Sequence, residues 1–337
     1  MANEVYVQGY DGYVGIGLKQ SAIGTSIAAD KFLQVNPDIS LVEIEDGKEV
    51  LNTIRFGRSM YSYKRGLKRV EGSMSGPLYP DNEWMFGLLM GDKNTVAGDA
   101  ATGFTHTFNE EDSTNLFSQN GSTVEVHLGT NDNVALKDFA GCFLSKLTLN
   151  MPADDIVTWA MDLVGVSMAT AGVISAPTYT TENPYEGFHV DLQLGSAIGS
   201  TATTEAKDIV WSMDNQIKML PKLNSQAPVG RVLGNRIVEC SFTSNLKDFT
   251  LQNLYKNNTT QAAKIIITHT ALAGSSSGFF TITINMPNIV FLGDEANLNN
   301  SQEIDQPIRF QAIHDATAGY QIQITAKNSE TGVYDIA

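Results

Sequence analysis

Five histidines, His106, His127, His189, His269 and His314, are the most versatile side chains in this sequence. None shares a metal-ligand spacing with another histidine or with a cysteine. His189 and Asp191 stand two apart, on one face of a possible strand, which points to surface hydrogen bonding before a catalytic pair. Residues 12–19, Gly-Tyr-Val-Gly-Ile-Gly-Leu-Lys, fall short of a phosphate-binding loop. That loop needs Lys directly after its last Gly, then Ser or Thr; here Leu18 intervenes and Gln20 follows. The acidic runs at Glu110–Asp112 and at Asp294 and Glu295 lack the alternating oxygen ligands and the Gly of a calcium loop. Trp84, Trp159 and Trp211 occupy apolar positions of periodic segments, which favours core packing over a sugar platform. There is no Gly-x-Ser-x-Gly elbow. The expectation is a protein that is not an enzyme and that uses no metal and no cofactor.

One constellation is informative. Strand-like segments carry carboxylates and hydroxyls on one side: Glu43, Glu45, Glu71, Ser73 and Ser75 early in the chain, and Glu239, Ser241 and Thr243 later. Asn150, Thr158, Asp162, Thr283 and Asn285 extend the pattern, and Lys146 and Arg309 break it. Such a face is either an ordinary solvated sheet face or the wall of a water-filled channel.

These faces need strands to present them. Residues 41–46 alternate, with Leu41 or Val42 and Ile44 against Glu43 and Glu45, and residues 69–75 set Val70 and Met74 against Glu71, Ser73 and Ser75. Asp81 or Asn82 can cap a short helix that Gly91 stops. Further strands are expected near 104–108, 123–128, 143–151 and 156–164. A later set covers 209–213, 237–243, 264–269, 279–286, 308–313 and 320–326, with a second short helix at 246–257.

The chain has 337 residues, ample for two domains. It is 42% hydrophobic and only 18% charged, a composition that suits an all-β structural protein. Its formal net charge of −15 argues against wrapping nucleic acid, which needs clustered Lys and Arg. A like-charged wall would instead keep a polyanion from sticking. Cys142 and Cys240 do not occupy matching positions; two buried free thiols in a reducing compartment are expected. No signal peptide is visible, and no stretch approaches the ~20 apolar residues of a membrane span.

The sequence also repeats itself. Val42 to Asp46 and Val70 to Gly76 reappear, at one constant offset, as Val210 to Asp214 and Val238 to Ser244. Leu-Thr-Leu-Asn-Met-Pro at 147–152 recurs as Ile-Thr-Ile-Asn-Met-Pro at 282–287. The period is too long for a solenoid unit and reads as two copies of one β-rich domain. The expected division is an N-terminal arm over 1–38, a first copy over 39–168, a linker over 169–184 and a second copy over 185–337. Each copy is expected to be a β-sandwich or half-closed barrel with one short flanking helix and a long inter-strand loop, giving a mainly β fold.

Several of these residues carry a family resemblance. The arm followed by Lys31-Phe32-Leu33-Gln34-Val35 resembles the start of tailed-phage tail tube proteins. So does the long basic connection ending in Gly72-Ser73-Met74-Ser75-Gly76-Pro77-Leu78-Tyr79-Pro80-Asp81, with a short helix after it. Gly141-Cys142, residues 144–149 and residues 157–165 follow the family's cadence as well.

The resemblance implies a structural subunit of a phage tail tube, in rings that stack into a channel for genome delivery. Single-domain members build sixfold rings, so a duplicated chain implies a trimeric, pseudo-sixfold ring; the alternative is a true hexamer with the second copy as outer decoration. The polar residues Glu43, Glu45, Glu71, Ser73, Ser75, Glu239, Ser241 and Thr243 would face the lumen. The loops at 51–68 and 219–234 would reach the adjacent ring, with Arg55, Arg58, Tyr61, Tyr63, Lys64, Arg65, Lys222 and Arg231 as contacts. The implied partners are other copies of the chain, a tape-measure protein and tail terminator or baseplate proteins. Genomic DNA would pass without specific binding, and no membrane is involved. The implied location is the virion tail, assembled in the host bacterial cytoplasm. The competing class is a virion-surface or carbohydrate-binding β-sandwich, which would need exposed aromatics.

Overall fold

Residues Ile237–Asn245 read Ile-Val-Glu-Cys-Ser-Phe-Thr-Ser-Asn, and every second one is buried: Val238, Cys240, Phe242 and Ser244. A period of two leaves one face for the core and one for water, and the chain repeats this device throughout. The computed structural model describes residues 12–51, 62–91, 95–110, 121–127, 136–169, 176–294, 304–332 and 334.

The mainly β chain opens with β1 (Tyr13–Gly17), β2 (Lys31–Leu33), β3 (Val42–Asp46), β4 (Glu49–Leu51), β5 (Ser62–Lys64) and β6 (Leu67–Pro77). Helix α1 (Trp84–Met90) follows, then β7 (Thr95–Asp99), β8 (Gly103–Asn109), β9 (Ser122–His127), β10 (Leu136–Pro152), β11 (Thr158–Gly165) and β12 (Ser167–Ala169). Next come β13 (Val190–Gly195), β14 (Ala202–Thr204), β15 (Asp208–Asp214), β16 (Lys218–Leu220), β17 (Gly230–Val232) and β18 (Ile237–Asn245). Helix α2 (Thr250–Lys256), β19 (Gln261–Leu272), β20 (Phe279–Asp294), β21 (Asp305–Ala312) and β22 (Gln323–Asn328) complete the fold.

Among the described residues all the pairings are antiparallel, and most of them run in two similar series. The first is β2–β1–β9–β10–β11–β6–β3. The second is β14–β13–β19–β20–β21–β18–β15. Registers agree closely. Met74 faces Met161 as Phe242 faces Ile308, and Gly72 faces Leu163 as Cys240 faces Phe310. Leu144 faces Leu163, and Phe291 faces Phe310, each just before a bulge. The series meet where β10 pairs with β15, from Lys146 opposite Asp214 to Pro152 opposite Asp208. The strands curl into one barrel-like sheet, in which β3 has β6 as its single partner among the described residues.

The structure departs from the sequence reading in several places. Residues 13–17 and 31–33 are strands of the sheet where an arm was expected; every residue of β1 is buried. Their pairing, Val14 opposite Leu33, matches Leu192 opposite Thr204 in the second series. The similar hexapeptides at 147–152 and 282–287 lie at different places: the first pairs with β11 and β15, the second mostly with β19 and β22. The strand that ends each series, β3 or β15, also breaks the constant offset. Val42 faces Glu71, whereas Val210 faces Ser241, so β3 is two residues out of step with β15.

Trp159, Trp211, Met74, Met161, Leu147, Leu149, Val238 and Phe310 fill the core beneath the central sheet. Each such side chain contributes about 1.5–3 kcal/mol on burial. The Trp159 indole also donates to the Pro77 carbonyl at 3.0 Å. Gly72 shows why one series carries Gly where the other carries Cys240. A Cβ there would lie 2.5 Å from the Leu41 Cα, because Ser40 runs along β6 and its N–H donates to the Ser73 carbonyl. Helix α1 ends at Gly91, whose φ of 77° is the left-handed stop that Gly accepts. At its start, the N-cap residue is Glu83, whose side chain makes no capping hydrogen bond, in place of the expected Asp81 or Asn82. Helix α2 is shorter than expected at both ends.

Candidate functional site

Directly opposed residues of antiparallel strands share a face. One row crosses the central sheet through Ser75, Ala160, Thr148, Ser212, Glu239 and Gln311. The next passes through Thr158, Asn150, Val210, Ser241 and Arg309. A third passes through Ser73, Asp162, Lys146 and Asp214. The structure therefore brings Glu71, Ser73 and Ser75 onto the same face as Glu239, Ser241 and Thr243. Asp46, Glu71, Asp162, Asp208, Asp214, Glu239 and Asp305 outnumber Arg69, Lys146 and Arg309 there. Lys146 stands in register between two acids, Asp162 and Asp214. Arg69 bridges Asp46 and Glu71, and Arg309 lies 3.9 Å from Glu239. These half-exposed pairs fix side-chain positions more than they add stability.

Glu43 and Glu45 are not part of this face. Glu43 stands opposite the fully buried Val70, and Glu45 opposite Lys68. The Glu43 carboxylate accepts from Lys68 Nζ at 2.7 Å and from the Met168 N–H at 3.0 Å. Glu45 accepts from the Gly66 N–H at 3.1 Å, and its pKa is held low by Lys48. The apolar residues of this edge strand are the ones turned to the acidic face, and Val42 is 45% exposed beside Glu71.

Two hairpins project from the sheet, β4–β5 and β16–β17. They leave it side by side: the Lys68 N–H donates to the Gln226 carbonyl at 2.7 Å, and Gln226 Nε2 to the Gly66 carbonyl at 3.2 Å. Tyr63, Lys64, Arg65 and Lys222 are exposed on them, and so is Leu223, at 94%. Arg231 differs. Its guanidinium lies 3.6 Å from the centre of the Phe143 ring, within its own chain, and burial lowers its pKa. Arg55, Arg58 and Tyr61 fall outside the described residues.

A family model described as phage tail tube protein matches residues 9–312, most of the chain. The chain belongs to the phage tail tube protein family. No curated protein matches it. As a tail tube protein it is a structural component of a bacteriophage virion tail, in a family that works by assembly rather than catalysis. Its mainly β architecture is consistent with a β-sandwich.

The side chains that first drew notice for chemistry lie elsewhere in this tail tube protein. His189 Nδ1 accepts from the Glu186 N–H at 2.9 Å, while Asp191 accepts from Gln193 at 2.6 Å, so the two form no dyad. His189 instead packs 4.9 Å from His269, ring centre to ring centre. Spacing could not show that pair, since 80 residues separate the two in sequence. The Gly-rich stretch at 12–19 contains the buried strand β1 and no loop leading into a helix. Among the described residues, no three His, Cys, Asp or Glu side chains cluster to hold a metal ion, and no helix is long and apolar enough to cross a membrane. Cys142 and Cys240 are free and buried, and burial pushes the Cys142 thiol up to about 12.

Proposed function

We propose that three copies of this chain close into a pseudo-sixfold ring, and that stacked rings form the channel through which the phage genome leaves the capsid. The observation that carries this reading is the β10–β15 seam. Two strand series of like order meet there edge to edge, in the way that separate subunits meet in a ring. The duplicated-domain reading of the sequence accounts for both series, with β1 and β2 counted in the first copy rather than in an arm. The run β3–β6–β11–β10–β15–β18–β21–β20 ends at β3 and at residues 290–294 of β20, each with a single partner strand among the described residues. Pairing the β3 edge with the β20 end of the next copy extends the wall and buries its unpaired backbone groups.

The acidic, hydroxyl-rich face then lines the lumen. Fixed carboxylates repel phosphates over roughly a Debye length, about 8 Å at physiological salt, and leave the DNA hydrated and unbound. The luminal set is Glu71, Ser73, Ser75, Glu239, Ser241 and Thr243; Glu43 and Glu45 support it from behind. The hairpins, through Tyr63, Lys64, Arg65 and Lys222, reach the adjacent ring. At the tube's ends the chain meets tape-measure and terminator or baseplate proteins, and assembly takes place in the host bacterial cytoplasm. Glu71→Lys and Glu239→Lys together test the lumen. Tubes that assemble normally while genome delivery slows support it; unimpaired delivery contradicts it.

A further inference from the structure

The two short helices hold similar positions but meet different surroundings. Each has seven residues, and each follows the long strand that succeeds a projecting hairpin. In α1, Trp84, Met85, Phe86, Gly87, Leu89 and Met90 are buried; in α2 no residue is. Part of the cover over α1 comes from β10 and β8, and part from the residue that follows β15. That residue, Asn215, donates through Nδ2 to the Leu89 carbonyl at 2.8 Å. Its own N–H donates to the carbonyl of Ser145, the bulged residue of β10, at 2.8 Å. Tyr185 reaches the helix start through Glu83. One residue thus ties α1 to the seam between the series.

Around α2 the matching groups are open. Leu251 and Leu254 pack partly on the core, but Phe249 is 63% exposed at the position of Glu83, and Tyr255 is 39% exposed at the position of Leu89. Leu292, at the β20 bulge that matches Ser145, is 47% exposed. We propose that Phe249, Tyr255 and Leu292 form the surface on which the first half of the next copy docks, with the end of its β3 and the turn after it, Glu45 to Lys48, in the place that Asn215 takes within the chain. The inference rests on the ring reading and names the contact by which one copy recognises the next. The occupant is a second copy because Leu292 lies in residues 290–294 of β20, which have β21 as their single partner among the described residues, while the open β3 edge lies at the other end of the run. Leu292 and the aromatics supply the apolar contact, and strand pairing supplies the register.

The test is crosslinking in the full chain. The two native thiols are buried, so Lys48→Cys with Tyr255→Cys adds the only accessible pair among the described residues. A flexible bismaleimide is expected to join copies into a ladder that ends at three. A second variant, Phe249→Asp, is expected to cut ring yield at least tenfold while leaving the unfolding midpoint of the free chain unchanged. Rings seen by electron microscopy without crosslinks, and undiminished in Phe249→Asp, would overturn the docking surface and leave the ring reading standing. Failure of the unaltered protein to form rings at any concentration would instead remove the ring reading itself.

Discussion

The Tyr185 hydroxyl donates a 3.2 Å hydrogen bond to Glu83 Oε1 in a fully buried site, joining the start of α1 to the segment that leads into β13. Asn328 Nδ2 lies 3.3 Å from the other carboxylate oxygen and donates to the Tyr334 hydroxyl at 2.6 Å. Burial, reinforced by the nearby Asp81 carboxylate, raises the Glu83 pKa from 4.5 to about 8.

The sign of the resulting pH dependence follows from that shift. Between about 4.5 and about 8 the folded chain keeps a proton on Glu83 that the unfolded chain has released. Its contribution is therefore full below the lower value and is lost as pH rises through the upper one, at up to roughly 1.4 kcal/mol per pH unit. Glu83→Gln removes the titration. Denaturant unfolding at pH 5, 6, 7 and 8 should show the variant gaining on the parent as pH rises. Parallel curves would contradict the assignment.

Gly72 and Cys240 should not be interchangeable. Gly72→Cys places a Cβ against the Leu41 backbone and is expected to destabilise by about 1–3 kcal/mol. Thermal unfolding checks this, and an unchanged midpoint would mean that residues 40 and 41 move aside freely.

Arg231 and Lys222 belong to one hairpin but face different ways. Arg231→Ala removes a cation packed on Phe143 and should lower stability by roughly 1–2 kcal/mol. Lys222→Ala should leave the free chain unaffected and act only on assembly. Equal effects on unfolding would contradict this division.

Arg69→Ala should alter stability by less than about 1 kcal/mol, although Arg69 bridges Asp46 and Glu71, because all three side chains are partly open to water. A loss well above that value would show the trio to be a structural clasp.

Much of this fold was legible because a period of two has one physical meaning. The alternation in 237–245 and 158–165 set both the strands and their buried faces, and Gly91 stopped its helix as read. Edge strands were harder. In β3 both faces are only partly covered, so polarity alone does not assign Val42 and Ile44 to a face, and Glu43 and Glu45 lie on the opposite side of the sheet from Glu71. Strand β1 is hidden in the sequence because Gly15 and Gly17 read as loop, whereas both lie where a Cβ would collide with Ala29 or Ile27. The similar hexapeptides at 147–152 and 282–287 misled for a related reason. Alternation recurs every two residues, so sequence likeness did not fix which stretch of a long strand matched which. The Glu83 cluster and the Asn215 contacts join residues far apart in the chain and left no local signal.

The most direct test of the ring is cryo-electron microscopy of polymerised protein, with symmetry refined on end-on views of the tube. The account predicts threefold rings of three chains, each chain supplying eight luminal strands, with the β10–β15 seam alternating with an intermolecular β20–β3 seam around the wall. Rings of six chains with true sixfold symmetry, in which the second strand series lies outside the wall, would contradict it.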